Sequence, residues 1–149
     1  MIQIKRTYDL PAPGDGQRIL VERLWPRGMK KEKLAADAWI KAVAPSTELR
    51  RWFDHRVERW EGFRRRYRDE LNANPAAWEP ILNASRRRTV TLLYSAHDTL
   101  HNSAVVLKDY LAKRQAKPYR LARREGHRLR RKTSRAQSSH PLRSIHAIQ

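Results

Sequence analysis

The sequence predicts an α/β fold, a single small domain of three layers with a mostly parallel sheet of three to four strands flanked by helices. Three observations carry that reading. Two runs, Ile19-Leu20-Val21 with Leu24, and Thr89 to Ser95, are too short for helices and rich in aliphatic residues, as in strands covered on both faces. Stretches of helical periodicity, rather than hairpin turns, separate and follow them, and strands alternating with helices argue for parallel pairing. The length, 149 residues, suits one core of ordinary size.

Each element follows from local pattern. Ile2 and Ile4 alternate with Gln3 and Lys5, the period of a half-buried strand. Thr7 to Gln17 is a loop marked by Pro11, Pro13, Gly14 and Gly16. Pro26 ends the first strong strand, and Gly28 releases the chain into a short basic helix, Lys30 to Ala36, with Met29 and Leu34 inward. Asp37 to Val43 reads as extended, with Trp39 and Val43 on one side and Ile40 on the other. Ser46 then caps a helix whose first turn carries Glu48 and whose apolar face is Leu49, Trp52 and Phe53. Asp54 and His55 close it. A second helix from about Val57 to Leu71 buries Trp60, Phe63, Tyr67 and Leu71. Its other side is a solvated face on which Glu61–Arg65, Arg65–Asp69 and Arg66–Glu70 are spaced to pair. Asn74-Pro75 opens the next helix, with Trp78, Ile81 and Leu82 inward and Pro80 expected to kink its first turn or delay its start. After the second strong strand, Ala96 to Asn102 turns into a helix, Ser103 to Lys113, with Ala104, Leu107 and Leu111 as its buried stripe.

The net charge of +18 is unevenly spread. Residues 1–112 hold 21 Lys+Arg against 14 Asp+Glu, a net +7, and residues 113–149 hold 12 against 1, a net +11. The expected organisation is therefore an α/β domain over residues 1–113 and a basic tail over 114–149. The tail has few large apolar side chains and is expected to be disordered, binding polyanions weakly through counterion release. With no cysteine, disulfides, thiolate metal sites and cysteine nucleophiles are excluded. No apolar run approaches the ~20 residues of a membrane span, and the start of the chain lacks a signal-peptide core. The expectation is a cytoplasmic protein with no membrane partner, no cofactor and no metal.

Two strand ends nominate a site. Arg23 and Arg27 follow the first strong strand, and Ser95, His97, Asp98, His101 and Asn102 follow the second. If both strands are central and parallel, these segments share the carboxyl edge of the sheet, where ligands of open α/β folds bind. The second segment also leads into a helix N-terminus, which attracts anions. Arg23, Arg27, Ser95 and Asn102 are the candidate anion-binding residues, with His101 and His97 as candidate acid or base. The plainer alternatives are that Arg23 pairs with Glu22 or Asp37, that Asp98 or Thr99 caps the helix, and that His101 sits in its first turn. A Ser/His/Asp triad is disfavoured because no nucleophile-elbow pattern is present. A metal site at His97 and His101 is disfavoured because the helix begins after His97.

Arg18-Ile-Leu-Val-Glu-Arg-Leu-Trp-Pro-Arg-Gly28, Asp37-Ala-Trp39, Ala44-Pro-Ser-Thr-Glu-Leu-Arg50, Trp52-Phe53 and Leu92-Leu-Tyr-Ser-Ala-His-Asp98 through His101-Asn102 together resemble domain-of-unknown-function family 488, in its short YeaO-like branch. The resemblance spans about residues 1–114. It implies an α/β fold and no established activity. It also implies that His97 is a poor obligatory base, since members carry Ala-Lys or Ala-Arg where this chain has Ala96-His97; His101-Asn102 is the better candidate. Longer members resemble Cys-His-Arg in this region, and this chain lacks that thiol.

Two functions follow as expectations. The first is a small enzyme, or degenerate enzyme, that binds a phosphate-bearing substrate such as a nucleotide or nucleic acid at the carboxyl edge. The alternative is a non-catalytic nucleic-acid-binding module using Arg27, Lys30, Lys31 and the tail. Charge gathered in a cleft favours the first, and charge spread along a face with exposed aromatic rings favours the second. The five tryptophans fit mostly buried positions, which tilts the reading toward the first.

Overall fold

A computed structural model of the chain describes residues 1–116; the expectations for the tail from 117 onward lie outside the described residues. Four strands form one sheet: β1 (Ile2–Arg6), β2 (Gln17–Leu20), β3 (Ala38–Trp39) and β4 (Val90–Tyr94). Their order is β1-β4-β2-β3 and every pairing is parallel. The two strong strands of the sequence are thus central neighbours, with Ile19 opposite Leu92 and Leu20 opposite Leu93. The helices are α1 (Lys31–Leu34), α2 (Thr47–Phe53), α3 (Trp60–Ala73), α4 (Pro75–Ser85) and α5, helical over 103–116.

Strand alternation divides the interior into two unequal layers. Ile19, Val21, Val90, Leu92 and Tyr94 join a large apolar cluster with residues of α2 to α5, including Phe63, Ile81 and Leu107. Leu20 and Leu93 point the other way, and meet only Leu34 of α1 with Met29 and Ala36 beside it. The sandwich has three layers, but one outer layer is a single turn of helix.

Buried polar groups hold that thin layer. Arg18, 5% exposed, donates to the carbonyls of Leu34 (2.7 Å) and Ala35 (3.2 Å), a cation on the last carbonyls of α1. It also pairs with Asp15 at 2.5 Å. Lys5 reaches the same carboxylate at 2.9 Å, and the Thr91 hydroxyl donates to the Asp15 carbonyl at 2.7 Å. Burial pushes the Asp15 carboxyl up, but the hydrogen bonds from Lys5, the Ala12 N–H and Arg18 outweigh it and hold its pKa at about 2. Gly16, at φ 59°, brings the chain in so closely that a Cβ there would lie 2.1 Å from the Thr89 carbonyl oxygen.

On the thick face the aromatic rings of α2 and α3 stack in sequence. Phe53 lies 4.4 Å from Phe63, and Phe63 lies 5.8 Å from both Trp60 and Tyr67. Gly62 lets the two helices approach, since a Cβ there would meet the Trp52 ring at 2.7 Å. The Tyr67 hydroxyl donates to the Val43 carbonyl at 2.5 Å, and burial drives its pKa far above the ordinary tyrosine range.

Several local expectations are corrected. Leu24 is 57% exposed, because strand pairing ends at Leu20 and only Val21 continues it through its N–H to the Leu93 carbonyl. Trp39 is exposed whereas Val43 is buried: β3 is two residues long, and the chain curls into a 3-10 turn at Lys41–Val43, so the two-residue period stops. The basic helix shrinks to Lys31–Leu34, and Val57–Arg59 is a 3-10 turn ahead of α3. None of the three expected ion pairs on α3 forms. Glu61 pairs with Arg64, Arg66 lies over the Trp52 ring at 4.1 Å, and Glu70 accepts the Ser46 N–H. Pro80 neither delays nor interrupts α4, because the carbonyl it leaves without a donor, that of Ala76, is in the exposed first turn. Finally, α5 runs past 113: Arg114 bonds Asn72 at 3.0 Å and Gln115 bonds the Ser85 hydroxyl at 2.5 Å.

Candidate functional site

Because β2 and β4 are adjacent and parallel, the segments leaving them emerge side by side at the carboxyl edge. They form two walls of a cavity of about 470 Å³, within the range of small-molecule sites. Val21 to Arg23 make one wall and Ser95 to Asp98 with His101 to Ser103 the other. Ala44, Pro45, Arg50, Phe53, His55 and Phe63 close the third side.

Six of the expected site residues fall into two groups. Arg23, Ser95, His97, His101 and Asn102 line the cavity, and Arg27 does not. Pro26 is buried and Gly28 has φ 72°, so the turn between them carries the Arg27 side chain into solvent. Arg23 does not make the structural pair considered for it. Its Nε and Nη2 donate to the carbonyls of Pro45 (3.1 Å) and Ala44 (3.3 Å), while Asp37 accepts the Arg18 N–H instead. Among the described residues no carboxylate lies within ion-pair distance of Arg23. Its guanidinium is positioned by two carbonyls, neither of which cancels its charge.

The second wall is a tight polar turn. Asp98 Oδ1 accepts the N–H groups of Leu100 (2.9 Å) and His101 (3.0 Å), and its Oδ2 lies 2.9 Å from His101 Nδ1. Those bonds, led by the one from Leu100, hold the Asp98 carboxyl below the usual range. The Trp60 ring stands edge-on to the His101 ring at 5.1 Å. Nδ1 is thereby committed to Asp98, and Nε2 is the ring nitrogen left for proton exchange. Ser95 does not complete a relay: its hydroxyl faces that of Thr7 at 3.3 Å.

The helix cap is Asn102, neither Asp98 nor Thr99. Its Oδ1 accepts the Val105 N–H at 3.0 Å and its Nδ2 donates to the Asp98 carbonyl at 2.9 Å. Buried to 4% exposure, Asn102 fixes the turn that presents His101, and His101 precedes the helix. His97 is exposed at the rim, with Nδ1 3.4 Å from Arg6 Nη2.

Sequence reasoning missed Glu22, Arg50 and His55. Glu22 Oε1 accepts the Ser95 N–H at 2.7 Å, joining the two strand ends. Burial pushes its carboxyl up, against the opposing pull of that N–H, Arg50 and His55. His55 follows Asp54 in a pair of left-handed residues, φ 54° and 46°. Asp and His tolerate that region better than most side chains, so the Asp-His dipeptide after α2 was the available signal. Arg50 and the Phe53–Phe63 floor arrive by long-range packing. Among the described residues no cluster of three or more His, Asp or Glu is arranged to hold a metal ion, and no helix is long and apolar enough to cross a membrane.

Comparison with known proteins gives a consistent family. The family described as "Inactive DUF488-N3 subclade" matches residues 1–127. The uncharacterized protein YeaO of Escherichia coli K12 is 46% identical over 110 residues, covering 74% of this chain and 96% of that one. The uncharacterized proteins Rv3073c of Mycobacterium tuberculosis and Mb3100c of Mycobacterium bovis are each 37% identical over 110 residues, covering 74% of this chain and 92% of theirs. No solved structure matches the chain.

Proposed function

The chain belongs to the DUF488 family, among its YeaO-like members, and from that premise we propose that it is a degenerate enzyme: a domain that binds a small phosphate-bearing molecule, such as a nucleotide, at the carboxyl edge of its sheet without turning it over. The observation that carries the reading is the cavity itself, which is lined by Arg50 and by Arg23, a guanidinium held by two carbonyls and no carboxylate, with the rings of His55, His97 and His101 as further polar groups. Guanidiniums bond phosphate oxygens through charge-assisted hydrogen bonds, roughly twice as strong as neutral ones. The apolar floor of Phe53 and Phe63 suits a ring attached to the phosphate. Two things favour binding over turnover. The matching subclade is described as inactive, and among the described residues no activated nucleophile stands beside His101, since the chain has no cysteine and the Ser95 hydroxyl is engaged by Thr7.

The test is calorimetric titration with inorganic phosphate, nucleoside monophosphates and an uncharged nucleoside. Phosphate-bearing ligands should bind and the nucleoside should bind far more weakly. Arg23→Lys should weaken binding roughly tenfold although charge is kept, because the planar fork is lost. Arg27→Gln should leave it unchanged. Equal binding of nucleoside and nucleotide, or turnover of the ligand, would overturn the proposal.

A further inference from the structure

The carboxyl edge carries a second feature beside the cavity. Trp25 and Trp39 are each 36% exposed, with ring centres 5.4 Å apart at 65°. Both indole N–H groups are satisfied internally at 2.6 Å, Trp25 by the Met29 carbonyl and Trp39 by the Glu22 carbonyl. Buried tryptophans need such partners; these two have them and still present ring to solvent. The rings are thus held rigidly outward by their polar ends. Tyr8, 47% exposed, is tied to the same turn, its hydroxyl donating at 3.2 Å to the carbonyl of Arg27, two residues beyond Trp25.

Cations interleave with the rings. Lys41 Nζ sits 4.0 Å from the Trp39 ring centre, and the Arg6 guanidinium lies 5.4 Å from that of Tyr8. From Arg23 to Lys41 the chain holds six Lys+Arg against two Asp+Glu, and Arg27, Lys30 and Lys31 are exposed. A purely apolar partner would gain nothing from this charge. A polyanion that also carries flat rings uses both components.

We propose that this edge is a stacking strip for single-stranded nucleic acid, with Trp25, Trp39 and Tyr8 receiving bases and Lys41, Arg27 and Arg6 receiving the phosphates between them. Duplex DNA hides its base faces, so the strip selects unpaired strands. The Lys41 ammonium moves from the Trp39 face to a phosphate as a base arrives, exchanging one cation contact for another. The strip does not depend on the cavity reading, because none of its residues lines the cavity.

The experiment uses the full chain and two labelled oligomers of about twelve nucleotides, oligo-dT and an abasic strand with the same phosphates. The basic tail attracts both equally and cancels in the comparison. Oligo-dT should bind roughly tenfold tighter by anisotropy, and it alone should quench tryptophan fluorescence. The combined Trp25→Leu and Trp39→Leu substitutions should erase that preference while leaving the salt slope unchanged, whereas Lys41→Gln should shallow the slope by about 0.7. If the double variant melts early, quenching of the unmodified protein still decides. Equal affinity for the two strands, or oligo-dT binding without quenching, would overturn the proposal.

Discussion

The two faces of the sheet are held by different physics. The thick face packs four helices on an apolar cluster; the thin face holds one turn of helix with three leucines and a buried chain of charge, Lys5–Asp15–Arg18, ending on the α1 carbonyls. Hydrophobic packing is spread over many contacts, so losing one methylene is tolerated. A buried ion network is concentrated in a few atoms, and removing one leaves the others uncompensated. The difference predicts where the molecule is brittle.

The largest effect is expected at Asp15. Asp15→Asn leaves Arg18 buried beside a neutral amide and should cost about 3–5 kcal/mol in denaturant unfolding. A loss below 1 kcal/mol would show that the thin face rests on its leucines instead. Next, Gly16→Ala must displace the Thr89 backbone and adopt a left-handed conformation, and should cost about 1–3 kcal/mol. On the thick face, Ile81→Val should cost only about 0.5–1.5 kcal/mol.

Acid should separate the faces further. The Asp15 pKa lies near 2, below its ordinary 3.8, so its contribution is fully present above 3.8 and is lost as pH falls through 2. Amide exchange in α1 should therefore accelerate before exchange in α4 across that window, and Asp15→Asn should abolish the difference. Glu22 has the opposite sign. Its pKa is raised above 4.5, so its contribution is present below 4.5 and is lost as pH rises through the folded value. Glu22→Gln, which can keep the Ser95 bond through its amide oxygen, should be slightly stabilising at neutral pH, the smallest of these effects.

What the sequence revealed of this arrangement follows the range of each interaction. The central strands, their parallel pairing and the shared carboxyl edge were legible because aliphatic runs and helix-period spacings are local. The apolar part of the thin layer, Met29 and Leu34 turned inward, was legible as well, but its buried charge was not, since Arg18 looks like any strand arginine until Asp15 and the end of α1 fold over it. At the site, Arg23 and His101 were legible from position alone. Arg50 and His55 were not, because the packing of α2 and of the left-handed turn after it carries them there. The role of Asn102 could have been read, as asparagine just before a helical run is a capping signal. Arg27 was misplaced and the exposure of Trp25 and Trp39 was missed for one reason: strand period was extended past Leu20 and Trp39, where pairing stops.

The strand order has a consequence for how the chain is made. β4 lies between β1 and β2, yet of the described strands it is the last to leave the ribosome. Until residue 94 emerges, β1 has no neighbour to zip against, and Ile19 to Val21 have only the two residues of β3 alongside. At about 5–20 residues per second the aliphatic segment waits for several seconds with one flank bare. Closure then joins partners as distant as Ile2 and Val90, the kind of non-local pairing that slows folding. A nascent chain arrested before β4 should be chaperone-bound and protease-sensitive, and one arrested after β4 and α5 have cleared the exit tunnel should be neither.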